Sequence, residues 1–207
     1  MKKFLVALSL AAFAFVGCDD SSSASAGPNE EIAEGILTDS RDGQTYKTIT
    51  IGTQTWMAEN LNYETSGSYC YNDSIEYCNK YGRLYTWEEA MESCPDGWHL
   101  PSGVDWENLF TAVGGKSTAG KVLKSQSGWS ENGNGTDAFG FSALPAGCRS
   151  SLGIFNYDSS AANFWSSATE PDEIAFYSLN LYNFYEFARF GTHRRKDHAA
   201  SVRCVKD

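Results

Sequence analysis

The residues best suited to do chemistry gather after Gly128. Trp129-Ser130-Glu131-Asn132-Gly133-Asn134-Gly135-Thr136-Asp137 sets amide, hydroxyl and carboxylate oxygens among glycines, the donors a hard cation such as Ca²⁺ takes. Only Glu131 and Asp137 bring charge, so a tight turn is preferred, with Gly133 and Gly135 at positive φ and Asn or Asp side chains bonded to the backbone. No cofactor and no metal site are therefore assigned, and calcium titration separates the two readings of the loop. Flat rings lie in or beside the same Gly/Asn/Ser-rich stretches: Trp129, Phe155, Tyr157, Phe164, Trp165, Tyr182, Phe184 and Tyr185. Rings with amide neighbours can stack on sugar faces, although aromatics in a small sheet more often fill the core. Trp129, Asn134, Asp137 and Trp165 are the ligand-binding candidates that follow, with polysaccharide as the ligand class.

Other reactive side chains give weaker patterns. Cys148 beside Arg149 has a cation that would favour its thiolate, but a single thiol lacks the partner that redox chemistry needs. His99, His193 and His198 are too dispersed for a zinc set, and His99 between Trp98 and Leu100 reads as a hydrogen-bonded core residue. The 26 acidic residues make a hydrolytic carboxylate pair easy to imagine and hard to assign. Arg194-Arg195-Lys196 reads as a solvated loop.

These residues need a scaffold and a compartment. Met1-Lys2-Lys3 and the apolar run Phe4 to Val16 form a secretory signal too short to span a bilayer. Phe15-Val16-Gly17-Cys18 is similar to a lipobox, which makes residues 1–17 a signal and Cys18 the lipidated N-terminus; cleavage after Ala24-Ser25-Ala26 is the alternative. Residues 18–37 are small and polar and read as a flexible tether, with the folded domain at 38–207. Acids close behind the lipidated cysteine point to the outer membrane or cell surface, with the anchor as the membrane contact. Loss of residues 1–17 removes two lysines and no acid, taking the net charge from −10 to −12. A chain this acidic repels phosphate backbones, so nucleic acid is excluded as a partner.

In an oxidising compartment cysteines become staples. With Cys18 lipidated, Cys70, Cys78, Cys94, Cys148 and Cys204 remain, and one must stay odd. Cys70 and Cys78 flank a short polar loop whose closure is worth less than the ~3 kcal/mol of a 15-residue loop. Joining Cys94 to Cys204 closes more than a hundred residues, for which loop entropy predicts ~4.7 kcal/mol. These two bridges are expected, with Cys148 left over, and a Cys148–Cys204 bridge would overturn the assignment.

Element by element, β-branched Thr45–Ile51, then Gly52 and Thr55–Ala58, predict a hairpin. Thr86 with Glu89 makes a capping box for a short helix through Met91. Ser102 with Asp105 repeats the box for a helix with Trp106, Leu109, Phe110 and Val113 on one face. A shorter helical piece follows at 118–124. Strands are expected at 140–144, 163–167, 175–179 and 200–205. Two main helices among short, mostly antiparallel strands make an α+β domain.

Over about residues 38–207 the chain resembles the Fibrobacter succinogenes major paralogous domain family of exported proteins. The resemblance rests on Asp42-Gly43-Gln44-Thr45-Tyr46, Trp56-Met57-Ala58-Glu59-Asn60-Leu61-Asn62, the block from Tyr81 to Ser102, Gly133–Asp137, Phe139–Gly147, Phe164-Trp165-Ser166-Ser167 and Ser201-Val202-Arg203-Cys204-Val205. It implies a C-type-lectin-like fold, a small twisted sheet with two helices and long loops stapled by disulfides, and it carries no established activity. Glu170-Pro171-Asp172 is similar to the calcium and sugar triplet of true C-type lectins, but the Trp-Asn-Asp strand of that site is missing. The reading that follows is a non-enzymatic, lipid-anchored surface module that binds polysaccharide or envelope proteins through its loops after Gly128. The alternatives are an oxidase of the formylglycine-generating type or a glycoside hydrolase on a related scaffold, and a purely structural envelope protein.

Overall fold

The computed structural model describes residues 34–169, 176–193, 195 and 197–207. The signal at 1–17, Cys18, the tether up to residue 33, Glu170-Pro171-Asp172, Arg194 and Lys196 lie outside the described residues.

The first strands are a meander: β1 (Glu34–Thr38), β2 (Thr45–Ile51) and β3 (Gln54–Met57), with β2 antiparallel to both neighbours. The expected hairpin forms because Tyr46, Thr48, Ile49 and Ile51 face inward, and Gly52 takes φ 59° at the turn. β1 starts at Glu34, so residues 34–37, read as tether from their composition, instead pair with β2. Their backbone finds a partner although the strand is mostly exposed.

Next come β4 (Ser68–Tyr69), α1 (Ile75–Tyr81), β5 (Leu84–Thr86), α2 (Trp87–Ser93), β6 (Trp98–His99), α3 (Gly103–Ala112) and α4 (Lys116–Leu123). β7 (Cys148–Arg149), β8 (Phe155–Asn156), β9 (Ala161–Thr169), β10 (Phe176–Tyr182), β11 (Arg189–His193), β12 (Ala199–Ser201) and β13 (Val205–Lys206) complete the order. One sheet runs β1-β2-β3-β13-β6, the other β11-β10-β9-β12-β5-β4, with the β7–β8 ribbon on β12. Pairing is antiparallel throughout except between β12 and β9. The class is α+β, as expected.

Among the described residues four α-helices stand where two main ones and a shorter piece were expected. The addition is α1, which begins inside what reads as the polar loop between Cys70 and Cys78 and runs on to Tyr81; its buried Cys78 and Tyr81 hold it down, with the Tyr77 ring packed at a tilt against Tyr71 and Tyr81. Tertiary anchoring, which local propensity does not encode, makes this helix. The capping box of α3 is complete: Ser102 Oγ accepts from the Asp105 N–H and Asp105 Oδ2 accepts from the Ser102 N–H at 2.8 Å. That of α2 is half-formed, since Thr86 Oγ1 accepts from the Glu89 N–H while the Glu89 carboxylate turns to Ser66 Oγ.

The expected strand at 140–144 does not form. Gly140 at φ 69° and Ser142 at φ 51° break the extended run, and only Ala143 bridges, in parallel, to Lys124. The final stretch at 200–205 divides, with β12 in one sheet, β13 in the other and Val202-Arg203-Cys204 crossing between them. Both expected disulfides are present, Cys70–Cys78 and Cys94–Cys204, and Cys148 is free. The largest core cluster joins Trp56, Trp106, Leu109, Phe110, Phe141, Phe164, Leu179 and Leu181 between α3, α4 and the sheets.

Candidate functional site

The loop from β10 to β11 carries the largest concentration of exposed rings among the described residues. Phe184 is 66 %, Tyr185 40 % and Phe187 41 % exposed, with half-buried Tyr182 beside them. Tyr182 stacks on Phe184 at 5.9 Å, Phe184 meets Tyr185 edge-on at 4.4 Å, and Tyr185 stacks on Phe187 at 4.4 Å. The four rings form one patch, as offset and edge-on aromatic pairs prefer. Clustered exposed apolar surface on a soluble domain marks an interaction site, whereas scattered single residues do not.

The backbone under this patch is seated close against its neighbours. A Cβ on Gly120 would stand 2.6 Å from the Phe187 carbonyl oxygen, and one on Gly133 would stand 2.5 Å from the Asn183 carbonyl oxygen. Only glycine permits such contact with α4 on one side and the 130–135 loop on the other. The amides of Lys121, Asn183 and Ala188 donate to the Glu186, Ser160 and Lys116 carbonyls, and Asn183 Nδ2 donates to Ser130 Oγ at 3.1 Å. Glu131 and Asn132, exposed and at φ 53° and 59°, belong to the loop whose Ser130 and Gly133 meet Asn183. Lys121 pairs with Glu186 at its rim, 2.9 Å apart. Burial pushes the Tyr182 phenol pKa up, so that hydroxyl stays protonated at neutral pH.

The residues expected to bind ligand sit elsewhere. Trp129 is 5 % exposed, its Nε1 donating to Ser125 Oγ and the Ala143 carbonyl, and it lies one layer beneath the platform under Lys124. Trp165 is 1 % exposed in the second core cluster and donates to the Tyr85 carbonyl at 2.7 Å. Neither ring offers a face to a sugar; both bury large apolar areas instead. Asn134 Oδ1 accepts from the Trp129 N–H, and Asp137 accepts from the Ser142 N–H at 2.7 Å and its hydroxyl at 2.5 Å. These two side chains bond the backbone, as a turn requires, but Gly133 and Gly135 do not take the positive φ expected of them: Glu131, Asn132 and Asp137 do, and the two glycines instead allow close contact with Asn183 and with the Lys121 and Lys124 carbonyls. Among the described residues no group of three or more His, Cys, Asp or Glu is placed to hold a metal.

Two further expectations change. The Cys148 thiol is pushed up to about 11 by burial, and the Arg149 guanidinium, instead of activating it, lies over the Tyr69 ring at 4.0 Å. His99 is hydrogen-bonded but not in the core: its side chain is 44 % exposed and bridges Asp207 at 2.7 Å and Asp105 at 3.3 Å.

A second concavity of about 720 Å³ runs between β1–β2 and the 137–144 segment, lined in part by Glu34, Ile36, Lys47, Glu59, Asp137 and Ser142. Two of its carboxylates are engaged, Glu59 by the Lys47 N–H and Asp137 by Ser142. Beneath it lies Arg203, fully buried, donating to Asn60 Oδ1 and to the Met57, Phe141 and Ser142 carbonyls. Burial lowers its pKa to about 9, with Asp137 and Glu59 opposing. Arg203 thus ties together three segments that carried the family resemblance, so this region is frame more than site.

Sequence reasoning named Tyr182, Phe184 and Tyr185 among many rings and missed Phe187. The available signal was density: four aromatics in six positions beside Asn183 and Glu186, without the alternation of a buried strand. Against known families, the description "Fibrobacter succinogenes major domain" matches residues 49–206. Comparison with curated proteins and with solved structures returns no match.

Proposed function

The chain belongs to the Fibrobacter succinogenes major domain family, and on that premise we propose that it is an exported, lipid-anchored surface module that binds polysaccharide without catalysing a reaction. One observation carries the reading: the ring patch of Tyr182, Phe184, Tyr185 and Phe187 is exposed while its backbone is clamped. A clamped platform has less ordering entropy to lose on binding, and rings beside amide and carboxylate groups suit the apolar faces and hydroxyl edges of sugars. The two disulfides and the aromatic core fit a domain built for an oxidising exterior. Export through the signal at 1–17, the anchor at Cys18 and a C-type-lectin-like architecture complete the proposal; no described helix is long and apolar enough to cross a membrane. The half-buried Cys148, its thiol pKa raised and no second thiol beside it, argues against a thiol oxidase on this scaffold. The reading needs no cofactor, and calorimetric titration with calcium tests that.

Retention on insoluble cellulose and chitin tests the reading. Wild type is expected to be retained, and Phe184→Ala with Tyr185→Ala to reduce retention at least tenfold without loss of folding. Retention equal in the two proteins would reject the platform as the binding surface.

A further inference from the structure

Lys124 ends α4 with its side chain 3 % exposed and, among the described residues, with no carboxylate in salt-bridge range. Its ammonium donates to the carbonyls of Tyr182 at 3.0 Å, Asn183 at 3.3 Å and Tyr185 at 3.1 Å. An ammonium has three donors, and here each meets one carbonyl of the same short segment. Trp129 lies under the charge, ring centroid 5.1 Å from Nζ. Such burial is costly for a cation without a counter-ion, and it lowers the Lys124 pKa, with Glu186 opposing. A methionine or leucine would fill the same space at no such cost, so the charge has a use that packing does not explain.

That use is visible in the chain it holds. Tyr182 and Tyr185 carry two of the platform rings and Asn183 lies between Tyr182 and Phe184, so the three bonded carbonyls belong to the segment from which the rings project. We propose that Lys124 is the positioning residue of the platform: its ammonium, bonded to three carbonyls of the 182–185 segment, sets where the rings stand. Trp129, expected to touch ligand, acts behind it as the floor on which the ammonium rests. What the rings bind rests on the polysaccharide reading above; that Lys124 fixes their geometry does not.

Amide hydrogen exchange on the full chain, with retention on cellulose and chitin alongside, tests this. In Lys124→Met the amides of Asn183, Tyr185 and Ala188 should exchange at least tenfold faster while those of β9 keep wild-type protection, and retention should fall at least tenfold. Lys124→Gln, which keeps two donors and loses the charge, should fall between. A general loss of packing would instead speed exchange in β9 as well, and exchange at 183–188 within twofold of wild type would overturn the proposal. If neither variant folds, ¹⁵N NMR of the unmodified chain decides: slowly exchanging Lys124 ammonium protons are expected, and their absence refutes the bonded cation. Should wild type bind neither polysaccharide, the exchange result still judges Lys124 while the functional reading fails separately.

Discussion

At the scale of single residues, exposure separates rings that hold the domain together from rings that are free to act. Trp165 and Trp129 donate their indole N–H groups to buried acceptors, so truncation leaves both a cavity and unpaired groups. Trp165→Ala is expected to cost about 3–5 kcal/mol in urea unfolding, while Phe184→Ala should stay within about 0.5 kcal/mol of wild type. Equal losses would mean that Phe184 is packed. Cys148 gives a second contrast: with its pKa near 11, native protein at pH 8 should react with a thiol reagent far more slowly than the unfolded chain. The folded state also binds its proton more tightly than the unfolded state does. Stability should therefore decline as pH rises from the ordinary thiol value of 9.0 toward about 11. Both the odd count and the identity of this cysteine were legible in sequence, but its reactivity was not, because Arg149 turns its guanidinium to Tyr69 and Phe155.

At the scale of elements, what was legible is what local rules determine. The β2–β3 hairpin follows from alternation and a turn glycine, and α3 from a capping box and an i, i+3, i+4, i+7 stripe. What was illegible depends on distant partners. α1 forms around a disulfide and stacked tyrosines, the 140–144 strand fails at two positive φ angles, and the terminal strand divides where Arg203 reaches across the molecule. The capping box of α3 makes a test at this scale. Burial would raise the Asp105 carboxyl, but hydrogen bonds from Ser102 and His99 outweigh it and hold the pKa below the usual carboxylate range. A depressed carboxyl stabilises the fold above its unfolded value and loses that contribution as pH falls through the folded one. Asp105→Asn should thus lose about 1 kcal/mol near neutrality and show less acid-induced destabilisation than wild type in paired urea titrations at pH 7 and pH 3.

At the scale of the whole molecule, the short crossing from β12 to β13 links the two sheets, and the Cys94–Cys204 bridge and Arg203 both sit on it. The bridge spans 110 residues of sequence and Cys70–Cys78 only 8. Removing the long one should lower stability by as much as ~4.7 kcal/mol, and removing the short one by less than ~3 kcal/mol. Calorimetric Tm values of the two double-serine variants check the order. The candidate site was legible only as a region: the loops after Gly128 do converge, with the 130–135 turn against Asn183. Two of the side chains chosen, Trp129 and Trp165, are large and aromatic, yet they serve the core, because size alone does not say which way a ring points. With the frame accounting for Trp129, Trp165, Asn134 and Asp137, the proposed binding surface falls to the rings left outside.

Hydroxyl-radical footprinting with and without a soluble cello- or chito-oligosaccharide, whichever matches the retaining matrix, tests that assignment most directly. Protection at Phe184, Tyr185 and Phe187, with Leu152 and Ile154 on the β7–β8 turn oxidised as before, is the predicted result. Protection at the groove residues Ile36 and Lys47 with the three rings unchanged would contradict it.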